Sequence, residues 1–289
     1  MKAFWVVLVG LFLANPGLSY EGDLHQSFTF VAAKQFNRCA EDTAIPPLTP
    51  LQVRYIAKSS VAQADPNLLV RTFRWNYYDR SSESERTAWW LFSTRFHERF
   101  EQLLRRLNDA RKEGDVYREF GRIASYLQMV TSPPRVVPVF TGRFWRLSFS
   151  DRFDSFRIEE AALTGAIEAD CSFLTQPPED YGQILTQTAS RTLQDLKAPI
   201  PGMPVDWQVF WELAKDAEGF GEYGRAGNNF GRKTDFRCGE GQRCLLLDED
   251  PIYEAFALRR HADAVRATMQ AMYLLQTRSQ PEPATPVER

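Results

Sequence analysis

The chain reads as an all-α protein, one multi-helix domain with irregular Gly-rich flaps. Three observations predict this. Apolar residues recur at helical spacing in most segments that Pro, Gly or a capping residue bounds. No repeat with a period of about 20–50 residues is evident, and no linker-like run divides the 289 residues. With 44% hydrophobic and 13% aromatic residues, the chain can bury a substantial core.

The first element is a processing signal rather than part of that domain. Lys2 precedes the apolar run Phe4 to Ala14, which Pro16 and Gly17 break. Gly17 and Ser19 are the small residues a cut before Tyr20 requires. The run is shorter than the ~20 apolar residues that span a bilayer, which counts against the competing reading, an uncleaved anchor. Residues 1–19 are therefore expected to be a signal peptide, and the mature chain to be periplasmic or secreted. The cut removes Lys2 and takes the net charge from -2 to -3. That balance excludes bulk electrostatic attraction to nucleic acid or an anionic membrane.

The mature chain turns helical near His25, with Phe28, Val31, Ala32 and Phe36 on one face. After Pro46-Pro47, Thr49 is placed to cap a helix running to about Val61. Ala64-Asp65-Pro66-Asn67 is a turn. A long helix is expected from about Glu85 to Lys112, with Trp89, Phe92, Phe96, Phe100, Leu103, Leu104 and Leu107 on one side. Gly114 ends it, and Asp115 caps the next helix, Val116 to about Val130, which Pro133-Pro134 closes. Further helices are expected at Ser155–Ala169, Tyr181–Leu196, Asp206–Glu218 and Pro251–Thr277. The Gly-rich stretch between the last two predicts a hairpin or surface flap. The polar, Pro-rich tail 278–289 is expected to be disordered.

Four cysteines allow three pairings. Cys238 and Cys244 flank the short loop GEGQR and are the easiest pair to close, which leaves Cys39–Cys171 as a long-range staple. A Cys/Cys metal site is the competing reading, and export favours disulfides.

Phe120 to Pro138 (FGRIASYLQMVTSPPRVVP) has the spacing of a metal site without the metal-binding side chains. Ser125, Met129 and Arg135 stand where a His, an Asp and a second His would make a zinc reading. Around it, Tyr20 and His25 are five apart behind the expected cut. Asp65 precedes RWNYYD, and Asp151-Arg-Phe-Asp154 follows. In this order the features resemble the family of zinc-dependent phospholipases C and single-strand-specific nucleases, over roughly Tyr20 to Thr277. The resemblance implies an exported, mostly helical fold built around three zinc ions. It carries the terminal amine of Tyr20, His25, Asp65 and Asp154 over as residual ligand positions. Gly121, Arg122, Ile123, Tyr126, Gln128 and Pro133 also fit the family's central pattern. Asn76 falls where a His would stand.

The departures decide what is expected of the chemistry. Serine is a poor zinc ligand, a thioether prefers softer metals, and Arg135 is a permanent cation where a dication should sit. The family uses five histidines, and this chain has only three in total. His97 and His261 lie in no ligand pattern and are expected to pack or face solvent. His25 has a structural reading as a hydrogen-bonded helix-start residue, and Asp65 as a turn residue. The expectation is a non-catalytic binding protein with no resident cofactor, zinc being the ion a residual site would take. Arg135 is its candidate binding residue, toward a phosphate-bearing small molecule or lipid headgroup, with a protein partner as the other class. The alternative is a divergent phosphodiester hydrolase with a reduced metal site. Gly-x-Ser-x-Gly, His-Glu-x-x-His and phosphate-loop patterns do not occur.

Overall fold

The structure, a computed structural model, describes residues 22–64, 77–78, 87–88, 92–93, 96–137, 139, 151–215 and 221–278. The expected signal peptide, Tyr20, Asp65, Asn76, Asp79, residues 140–150 and residues 279–289 of the tail lie outside the described residues. The described chain is mostly helical.

Four helices make the centre. They are α1 (Gly22–Ala40), α2 (Pro50–Ala64), α4 (Glu113–Met129) and the long C-terminal α9 (Pro251–Arg278). Each buries one stripe, such as Phe28, Ala32 and Phe36 on α1 and Phe120, Ile123, Ala124 and Leu127 on α4. Helix α2 starts at a reciprocal cap. The Gln52 amide N–H donates to Thr49 Oγ1 at 3.4 Å, and the Thr49 N–H donates to Gln52 Oε1 at 2.8 Å. Helices α2 and α4 cross at Gly121. A Cβ there would lie 2.3 Å from the Ile56 carbonyl oxygen, so only glycine permits this approach.

Around the centre lie α3 (Phe96–Asp109), the single turn α5 (Pro133–Val136), α6 (Glu160–Ile167), the turn α7 (Ser172–Thr175) and α8 (Tyr181–Leu196). Asp180 caps α8 by accepting the Gln183 N–H at 2.7 Å. Among the described residues three antiparallel strand pairs complete the fold. They are β1 (Thr87–Ala88) with β2 (Phe92–Ser93), β3 (Trp211–Glu212) with β4 (Glu222–Tyr223), and β5 (Thr234–Arg237) with β6 (Arg243–Leu246). Two disulfides close, Cys39–Cys171 and Cys238–Cys244, each with 5.7 Å between Cα atoms. The second staples the β5–β6 hairpin, as the spacing predicts.

Several expected elements differ. The helix expected from Glu85 begins only at Phe96, and its first part contains the β1–β2 pair. The stretch TAWWLFST is rich in β-branched and aromatic residues, which favour strands. Gly114 and Asp115 fall inside the first turn of α4 instead of ending one helix and capping the next. Asp115 there pairs with Arg118 at 2.7 Å. The double proline opens α5 rather than only closing α4, since proline suits the first helical positions. Ser155–Ala169 is a 3-10 turn (Phe153–Ser155), an extended Phe156, then α6. The described part of the helix expected over Asp206–Glu218, residues 206–215, is not α-helical. It is a capped 3-10 turn (Trp207–Val209) running into β3. Trp207, Val209, Phe210 and Trp211 are all buried, more neighbouring positions than one helical face can bury. They pack with Phe153, Phe230 and Phe256, the Trp207 and Phe256 rings stacking at 4.1 Å.

Candidate functional site

The four central helices meet at a buried polar hub. Gln128 of α4 is its middle, and its carboxamide is saturated. Oε1 accepts from His25 Nδ1 of α1 at 2.6 Å and from the Ser60 hydroxyl of α2 at 3.2 Å. Nε2 donates to Thr29 Oγ1 at 3.3 Å and to Thr268 Oγ1 of α9 at 3.1 Å. Both threonines can accept because their own protons go to helix carbonyls, Thr29 to His25 and Thr268 to Ala264. The orientation of the amide is therefore fixed by the network, and with it the tautomer of His25, whose proton sits on Nδ1. Burial lowers the His25 pKa to about 4, against the raising effect of Gln128, and the charge of Arg135 lowers it further.

A second cluster follows from α5. Ser132, its N-cap, lies 2.5 Å from Asp154 Oδ1, and Arg135 ion-pairs with Asp154 at 3.7 Å. Arg135 also lies over the Tyr77 ring at 5.6 Å, and its carbonyl accepts the Tyr78 N–H at 3.0 Å. Three residues before Asp154, Asp151 accepts three hydrogen bonds. These come from the Phe153 N–H, Trp211 Nε1 and the Tyr223 hydroxyl, each at 2.8 Å. Trp211 and Tyr223 are directly paired across β3–β4, so one strand register aims both donors at Asp151 Oδ2.

Both aspartates are buried. Burial and the neighbouring Asp154 charge raise the Asp151 pKa to about 6, against the lowering effect of its three donors. Burial raises Asp154 as well, while Arg135 and Ser132 hold it down. Burial and Asp151 together push the Tyr223 phenol far up, so it stays a donor.

The structure thus brings His25, Arg135, Asp154 and Asp151 into one electrostatic neighbourhood, with Ser125 and Met129 buried on the adjoining helix. Tyr20 and Asp65 lie outside the described residues. Among the described residues no group of three or more His, Cys, Asp or Glu could hold a metal ion. The side chains present do not fit a three-zinc centre. Ser125 Oγ is buried with no hydrogen-bond partner among the described residues, Met129 is a thioether in the core, and the Arg135 guanidinium sits against Asp154.

Sequence reasoning missed the rest of this arrangement. Thr29, Ser60 and Thr268 are ordinary mid-helix residues until four helices converge, and no local signal marks them. The helical expectation for Asp206–Glu218 hides the role of Trp211, and Tyr223 lies in the Gly-rich stretch expected to be a hairpin or flap, with no signal of its pairing to Trp211. His261 is buried between Phe28 at 4.9 Å and Phe153 at 5.9 Å, and burial lowers its pKa to about 3. His97 packs against Tyr78 at 5.1 Å. The two disulfides fit an oxidising compartment, and no described helix is long and apolar enough to cross a membrane. No family model, no curated protein and no solved structure matches the chain.

Proposed function

We propose that this is an exported, non-catalytic binding protein on a frame like that of the zinc-dependent phospholipases C and nucleases, its three-zinc centre replaced by internal polar contacts. The Arg135–Asp154 pair supports this most directly. A fixed guanidinium neutralises the carboxylate that a dication would otherwise hold, and a guanidinium cannot lower the pKa of a bound water. The buried, partnerless hydroxyl of Ser125 agrees with it. Arg135 would meet a phosphate-bearing small molecule or lipid headgroup by giving up its contact with Asp154, which at 3.7 Å is an ion pair without a hydrogen bond. Elemental analysis of protein cut before Tyr20, equilibrated with zinc and then desalted, is expected to find less than one ion per chain. Three tightly bound zinc ions would overturn the reading.

A second reading rests on His25. Its Nδ1 proton is held by Gln128, as the outward nitrogen of a metal-bound histidine is held. A divergent phosphodiester hydrolase would place one metal at Tyr20, His25 and Asp65 or Asp154. Assays on phospholipid and single-stranded nucleic acid compare the native chain with His25→Ala. Equal background rates eliminate the hydrolase.

A further inference from the structure

Away from Arg135, a polar cleft of about 300 Å³ opens between α8, α9 and the turn at Pro177-Pro178. Gln183, Gln187 and Arg191 enter it from α8 at four-residue spacing, one helical face. Arg266 and Gln270 face them from α9, and Met269 and Phe173 give it an apolar base.

The two arginines are not equivalent. All three nitrogens of Arg266 are committed. Nε reaches Asp170 at 2.6 Å, Nη1 reaches Asp263 at 3.2 Å and Nη2 reaches the Ala166 carbonyl at 3.2 Å. Its charge is matched, and against the raising effect of burial the Ser172 hydroxyl and then Arg266 hold the Asp170 carboxyl below its usual range. Arg191 is half-buried in the cleft wall, and no described residue gives it a hydrogen bond or an ion pair. Gln187 and Gln270 likewise spend no side-chain hydrogen bond on a described residue. The cleft therefore holds one unmatched positive charge beside carboxamides with free donors and acceptors.

That combination selects a ligand class. A guanidinium presents a planar fork that matches a carboxylate with two parallel hydrogen bonds. A carboxamide both donates and accepts, as a hydroxyl does. One unmatched charge balances a monoanion and leaves a dianion in excess. The volume sits at the small end of ligand sites. We propose that this cleft binds a small hydroxylated carboxylate of the sugar-acid class, with Arg191 holding the carboxylate and Gln187 and Gln270 its hydroxyls. The cleft shares no residue with the Arg135 cluster, so neither metal content nor hydrolysis bears on it.

Calorimetric titration of the full, disulfide-intact chain with D-glucuronate, D-glucose and inorganic phosphate tests it. Glucuronate is expected to bind at least about tenfold more tightly than glucose, which lacks the charge-assisted fork, and more tightly than phosphate, whose second charge is unmatched and which has no sugar hydroxyls for Gln187 and Gln270. Arg191→Gln should weaken glucuronate by about tenfold or more with an unchanged thermal midpoint, because Arg191 makes no internal bond. Gln187→Ala should weaken it by a few-fold. Absence of glucuronate binding, undiminished binding in Arg191→Gln, or tighter binding of phosphate than of glucuronate would each overturn the assignment.

Discussion

Gln128 touches three other helices through one carboxamide, and each of its four hydrogen bonds has a geometric role. Gln128→Leu would keep the volume and remove the acceptor of the His25 Nδ1 proton and of the Ser60 hydroxyl. Two orphaned buried donors cost about 3 kcal/mol together. Urea unfolding of this variant is expected to show that loss. Ser125 is the opposite case, since its buried hydroxyl bonds nothing. Ser125→Ala is expected to be neutral or to stabilise by about 1 kcal/mol; a clear loss in the same assay would mean the hydroxyl has a native partner. The buried ionisable groups also set a pH response. His25 and His261 have folded values of about 4 and about 3, below the unfolded 6.5. Their contribution is complete above pH 6.5 and is lost as the pH falls toward those values. Asp151 runs the other way. Its folded value of about 6 lies above the unfolded 3.8, so its contribution is present below 3.8 and lost as the pH rises through 6. Asp151→Asn removes that opposing group. Between pH 4 and 6 the stability of the variant should climb more steeply than that of the native chain, by about 1.4 kcal/mol per pH unit. Equal slopes would show that Asp151 is ionised throughout.

Among the elements, the α2–α4 crossing depends on a missing side chain. Gly121→Ala would push a methyl into the Ile56 carbonyl and force the helices apart, at a cost of about 2–3 kcal/mol despite the better helix propensity of alanine. A thermal melt checks it, and an unchanged midpoint would mean the crossing is looser than the structure has it. Legibility in the sequence also divides by element. Helices α1, α2, α8 and α9 were readable because each carries one apolar stripe or a side-chain cap, Thr49 and Asp180 being the clearest. The β3–β4 pair was not, because adjacent buried aromatics carry no helical or strand period and the partner strand is ten residues away. The same holds at the site. His25, Arg135 and Asp154 could be chosen from spacing and resemblance. The residues that fix them, Gln128 with its threonines and Trp211 with Tyr223, meet only through tertiary packing and strand register.

For the whole molecule, the two disulfides differ in what they restrain. Cys39 and Cys171 are 132 residues apart, and Cys238 and Cys244 only 6. By loop-closure entropy the long bridge contributes about 5 kcal/mol and the short one about 2 kcal/mol. Replacing Cys39 and Cys171 together by alanine should therefore lower the urea midpoint much more than replacing Cys238 and Cys244. Equal effects would mean that strain or residual structure outweighs loop length. The long bridge ties α1, which carries His25, to the segment before α7, and so guards the hub from fraying at its first helix.

The order of these cysteines along the chain has a kinetic meaning. The native partners are the first with the second and the third with the fourth. A chain oxidised as it emerges, amino end first, meets each correct partner before any wrong one. Native pairing then needs no reshuffling by thiol exchange, a step that otherwise takes seconds to hours. Such a chain should mature at the same rate with and without a disulfide isomerase, whereas the fully reduced, full-length chain, in which all four thiols compete at once, should refold faster when one is added.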